Sequence, residues 1–179
     1  ISDVVLAYGM GASRLAEVVE IPLKEAEALL NTYFEAFPNI KVFLEKLGNF
    51  GKQHGYSRTF PPYNRRRTYP KWSPSILTDR ERSGDLSSIE RASKNQPIQG
   101  TSADITKYAM ILTRRRIRKD NLPVKLVNAV HDQIDGICTQ EYAQQWGKQL
   151  TEVMEEAALK VIKNGLLKAD TQISTVWKK

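Results

Sequence analysis

Leu126 to Cys138 reads L-V-N-A-V-H-D-Q-I-D-G-I-C. Two extended runs, Leu126 to Val130 and Ile134 to Cys138, flank this chain's His131-Asp132 pair. In the first run, apolar side chains fall on both parities, which predicts a strand covered on both faces. The second run alternates through Ile134, Gly136 and Cys138. Together they predict a β-hairpin with His131 and Asp132 at its tight turn. Aspartate suits such a turn because its carboxylate can bond nearby backbone N–H groups. Asp132 therefore has two readings at this point. It is an ordinary turn residue, or a carboxylate held on a rigid tip to bind a divalent metal.

The chain has 179 residues, 41% of them apolar, enough for one generous domain or two small ones. Lys and Arg number 27 against 20 Asp and Glu, a net charge of +7. That balance fits an anionic partner, and it equally fits simple solubility. A single Cys excludes an internal disulfide and fits a reducing compartment. No apolar run approaches the ~20 residues that a membrane helix needs, so no membrane partner is expected. The chain opens on Ile1 and not on Met, and is expected to be a piece of something longer.

Apolar spacing predicts helices in succession. After the Gly9-Met10-Gly11 interruption, Ala12 or Ser13 caps a helix that carries Leu15, Val18 and Val19 on one face. Pro22 sits where a first helical turn tolerates it, before Leu23, Ala26, Leu29, Leu30, Tyr33, Phe34 and Phe37 at helical spacing. Pro38 starts the next helix, with Ile40, Phe43, Leu44 and Leu47 inward, and Gly55 ends it. Tyr56 to Pro70 predicts a hairpin turning at Pro61-Pro62 and Asn64. Arg65, Arg66 and Arg67 follow on extended backbone, so they point to both faces. One can track a phosphate backbone; a solvated surface strand explains the run equally well. A polar loop then leads to a long helix from about Asp85 to Lys119, expected to break around Pro97 and Gly100. The cations at its end, Arg114 to Lys119, are accounted for by the helix dipole. Glu141 to Lys163 predicts another helix, and Lys168 to Trp177 a closing strand.

The segment Arg91 to Asp104, R-A-S-K-N-Q-P-I-Q-G-T-S-A-D, resembles the Arg-x-x-x-Asn-x-Pro-x-Gln-Gly-Thr-x-Ala-Asp signature of family A DNA polymerases. Tyr8-Gly9-Met10 resembles the end of that family's fingers helix. Gly55-Tyr56, Thr59 and the Arg65–Arg67 run resemble its Gly-Tyr and triple-arginine hairpin. Val130-His131-Asp132 resembles the start of its motif C. The matches occur in the family's order along nearly the whole chain. The resemblance implies an α+β fingers–palm fragment, mostly helical with small antiparallel β elements. Residues 1–85 would form the last part of the fingers and 86–179 the C-terminal part of the palm. It implies a DNA-directed DNA polymerase using Mg2+, with primer–template DNA and a dNTP as partners. The location is then the cytoplasm, or whichever compartment holds the DNA. Carried over by position, Asp132 is a catalytic metal ligand and His131 lies near the primer terminus. Arg91, Asn95 and Gln99 reach the duplex along its minor groove, and Arg65, Arg66 and Arg67 join them on DNA. Tyr8 stacks in the templating-base position of an empty site.

Several positions depart from the family pattern. Gln133 stands where motif C continues with Glu. Asp135 lies two residues on, on the same strand face, but farther from the tip. Asp3-Val4-Val5 replaces the Asn-Phe-Gly that precedes the tyrosine. The family's other essential Asp and its triphosphate-gripping Lys would lie before Ile1. The chain alone is therefore expected not to polymerise, and the missing N-terminal part becomes an expected partner. The alternative is a non-catalytic nucleic-acid-binding module that keeps the polymerase shape. A metal phosphohydrolase suggested by His131-Asp132 is set aside, because only His54 and His131 exist to serve as its several ligands.

Overall fold

A computed structural model describes residues 11–176. Tyr8, the Asp3-Val4-Val5 departure and Trp177 lie outside the described residues. The chain divides into two compact units, Ile1–Thr59 with Arg65–Gln99, and Phe60–Asn64 with Gly100–Lys179.

The first unit opens with α1 (Ala12–Val19), α2 (Leu23–Ala36) and α3 (Pro38–His54). The helix boundaries follow local chemistry. Gly11 is the N-cap of α1, one residue ahead of the expected cap. Pro38 takes the first turn of α3, where its missing N–H costs nothing. Gly55 closes α3 at φ +70°, a backbone conformation other residues resist. Strands β1 (Tyr56–Arg58) and β2 (Arg66–Thr68) then pair antiparallel, and two 3-10 turns lead into α4 (Ser83–Lys119). Leu15, Ala26 and Leu30 form one small core, with Phe34 packed on it. Tyr69, Ile76 and Ile89 form a second, against Trp72, Leu86 and Ala92. The aromatic and leucine stripe of α2 is buried less than its spacing predicts. Leu23, Leu29 and Phe37 are exposed among the described residues, because only the Ala26–Leu30 edge meets α1.

In the second unit, β3 (Val124–Val130) and β4 (Gln133–Cys138) form an antiparallel hairpin, and α5 (Ala143–Leu159) follows. Trp146, Leu150 and Ala157 of α5 pack with Val124, Ile134 and Ala109. Gly136 makes this possible: a Cβ there would lie 3.0 Å from the Trp146 indole nitrogen. One face of the hairpin is thus clamped to a helix, which stiffens its tip.

Three expectations are corrected. α4 runs unbroken through Pro97 and Gly100. Proline inside a helix costs ~3 kcal/mol, yet Gln96, Pro97, Gly100 and Thr101 are all buried here. Packing on that scale overrides a local propensity. Strand β3 is not covered on both faces; Val127 and Val130 are 54% and 39% exposed. The apolar pattern predicts the right element and the wrong environment. Finally, residues 168–176 form no strand; they run along α5, where Thr171 bonds Thr151 and the Gly147 carbonyl.

Candidate nucleic-acid interface

The β3–β4 hairpin closes on a Val130–Gln133 pair, leaving His131 and Asp132 as a two-residue loop. His131 has φ +53°. Primed hairpin turns require a positive φ at this first loop position, because only they match strand twist. Both loop side chains are exposed. The register slips between Leu126 and Asn128, making Val127 the extra residue of a bulge. Beyond it, Asn128 faces Asp135 and Val130 faces Gln133, so these four share the outer surface.

That sharing decides which carboxylate is available. Asn128 donates its side-chain amide to one Asp135 oxygen at 3.2 Å, and Gln133 donates to the other. Asp135 is therefore engaged on both oxygens, and Gln133 acts as its donor. Asp132 forms no hydrogen bond or ion pair with the described residues. No group of three or more His, Cys, Asp or Glu among the described residues could hold a metal. The tip presents one free carboxylate, which suits a share in a divalent-metal site and not a whole one.

The three arginines separate. Arg67 pairs across the ladder with buried Ser57 and donates to Gln96 of α4 at 3.2 Å. Arg66 pairs with Arg58 and lies on the opposite face. The Arg65 backbone N–H donates to the Thr59 hydroxyl, while Thr59 N–H reaches back to the Arg65 carbonyl. All three arginine side chains are exposed.

Arg91, Asn95 and Gln99 recur every four residues on α4, which lines them along one helix face. Arg91 and Gln99 are exposed and Asn95 is half-buried. The Asn95 side-chain oxygen is buried without a hydrogen-bond partner. Gln96, which orients Arg67, is not marked out by the sequence; it occupies a variable place in the signature, and no local pattern shows which hairpin residue meets it. Nearby, Glu90 is gripped by Lys94 at 2.7 Å and Lys52 at 2.9 Å. Their hydrogen bonds hold its carboxyl below the usual glutamate range.

A family model described as DNA polymerase family A matches residues 5–179. The chain belongs to DNA polymerase family A. Similar family A proteins include the thermostable DNA polymerase I of Thermus aquaticus, 33% identical over 148 residues. That match covers 83% of this chain and 17% of the relative. DNA polymerase I of Bacillus caldotenax is 33% identical over 172 residues, 96% of this chain and 18% of the relative. The chain thus spans less than a fifth of the length of these relatives. Among solved structures, the POL domain of Pol1 from M. smegmatis, in complex with DNA primer-template and dNTP, matches with a TM-score of 0.73. It is 30% identical, over 86% of this chain and 26% of that one.

Proposed function

We propose that this chain is part of a template-directed DNA polymerase that adds deoxynucleotides to a primer 3′ end by two-metal phosphoryl transfer. The observation that carries the reading is Asp132: an unpartnered carboxylate at the tip of a clamped hairpin, in a family A chain. In this reading 1–85 belongs to the fingers and 86–179 to the palm. Asp132 would hold Mg2+ through its carboxylate, together with an acid supplied from outside this chain. When bound, the metal supplies Lewis-acid stabilisation of charge on the reacting phosphate. His131, on the same two-residue loop, would offer a hydrogen bond beside the primer end. Arg91, Asn95 and Gln99 offer donors along one helix face. Every base pair presents minor-groove acceptors, so such donors can check pair shape without reading sequence. Arg65, Arg66 and Arg67 would hold the phosphate backbone, and Tyr8 the templating position.

The test is a chimera in which this chain replaces the matching segment of a family A polymerase. Primer extension is expected, and Asp132→Asn is expected to lower it by ~100-fold or more, as losing a charge-stabilising group does. Full activity in that variant overturns the assignment. A second reading, a non-catalytic DNA-binding module, has its own observation in its favour. Gln133 replaces an acid and bonds Asp135, leaving one free carboxylate at the tip. Under it the chimera binds primer–template and does not extend it.

A further inference from the structure

The β1–β2 ladder pairs Tyr56 with Thr68, Ser57 with Arg67 and Arg58 with Arg66. Paired residues share a face, and neighbours along a strand alternate. Ser57 and Arg67 take the face toward Tyr69 and Gln96. Tyr56, Arg58 and Arg66 take the other. There the Arg66 guanidinium stands 4.0 Å from the Tyr56 ring centroid, and that of Arg58 5.5 Å. Phe50 meets the Tyr56 ring edge-on at 5.2 Å, and His54 lies 4.5 Å from Phe50. Phe50 is 38% exposed, and His54, Arg58 and Arg66 are exposed too.

Neither Arg58 nor Arg66 has a carboxylate partner among the described residues. Like charges placed directly opposite one another destabilise a sheet. A pair of three-residue strands has little stability to spare. The arrangement becomes favourable when an anion lies between the two guanidinium groups. Rings at the same spot add a second kind of contact, base stacking, worth ~1–3 kcal/mol per base.

We propose that Tyr56, Arg58 and Arg66, with Phe50 and His54 beside them, bind unpaired nucleic acid. Its phosphates meet the two arginines and its bases lie against the rings. A duplex fits less well, because its base faces are hidden in its own stack. An acidic peptide would satisfy the charges and leave the rings unused. This site rests on the proposed function and deepens it: of the three arginines given there to the phosphate backbone, Arg66 meets unpaired strand, while Arg65, Arg67 and the α4 face meet the duplex.

The test compares binding of the purified chain to a labelled oligothymidine and to a blunt duplex of equal length, by fluorescence anisotropy. Arg58→Glu sets a carboxylate opposite Arg66. It is expected to weaken oligothymidine binding about tenfold, and duplex binding much less. The salt dependence should shallow by about 0.7 for each phosphate that the variant no longer neutralises, while the melting temperature stays level or rises. Tyr56→Leu removes a ring without touching charge and is expected to show the same preference for loss on the single strand. Unchanged oligothymidine affinity in both variants overturns the proposal, and so does an equal loss on duplex. Either result leaves the chimera's primer extension, and so the polymerase reading, standing or falling by itself.

Discussion

In its proposed role, Asn95 would serve binding at the expense of the fold. Its amide oxygen is buried without a partner, while the residue sits in line with exposed Arg91 and Gln99. Leaving a buried acceptor unsatisfied costs ~1–3 kcal/mol, and Asn is also a weaker helix former than Ala. Asn95→Ala is therefore expected to hold or raise stability, by up to ~1 kcal/mol in urea unfolding. The same variant should lower primer–template affinity in a binding titration. A clear loss of stability with unchanged affinity would make the amide structural. Other site residues differ in how far the sequence exposes them. The His131-Asp132 turn is legible, because two strand-like runs leave two residues between them. The satisfaction of Asp135 by Asn128 and Gln133 is not, because it depends on a bulge at Val127 that no apolar pattern announces.

Helix α3 and helix α4 meet through glycines, and a charged cluster sits at the same contact. A Cβ on Gly48 would fall 2.8 Å from both Glu90 and Lys94, and one on Gly51 within 1.6 Å of Ser93 Oγ. At that approach Glu90 joins Lys52 of α3 to Lys94 of α4. Its carboxyl is held low by these two lysines, first by the Lys94 hydrogen bond. A lowered folded value means the stabilisation is fully present above the unfolded glutamate pKa of about 4.3. It is lost as pH falls from there through the folded value. Glu90→Gln should cost about 1 kcal/mol at neutral pH, a modest figure because the pair is partly screened. The difference from the parent chain should shrink in acid unfolding series below about pH 4. At this scale the element boundaries set by Pro38, Gly55 and the His131 turn are plain in the sequence. The continuity of α4 is not, since the burial of Pro97 comes from packing that spacing cannot show. For residues 168–176, weak alternation suggests a strand, but the segment bonds to the side of α5 and pairs with no strand among the described residues.

Across the whole chain the charge of +7 admits two explanations, solubility or an anionic partner. The pairing of individual cations shows which charges remain open to a partner, and the choice between the two is a matter for binding. Lys52, Lys71, Arg82, Lys94, Arg116 and Lys168 each sit against a carboxylate. Arg66 and Arg91 do not among the described residues, and Arg67 is held by the neutral amide of Gln96. The exposed cations assigned to DNA thus include three whose charge no neighbouring acid cancels. If Arg65, Arg67 and Arg91 each neutralise a phosphate of the duplex, three counterions are displaced from it on binding. The logarithm of the primer–template binding constant should then fall with the logarithm of salt concentration at a slope of about −3. Arg91→Ala should flatten that slope by about 1 and weaken binding evenly across template sequences, since its charge acts on the phosphates flanking the groove and its donors meet acceptors that every base pair presents. A slope near zero would leave the excess charge with no role beyond keeping the chain in solution. A full slope that Arg91→Ala does not change would move the contact to other cations and remove Arg91 from the interface.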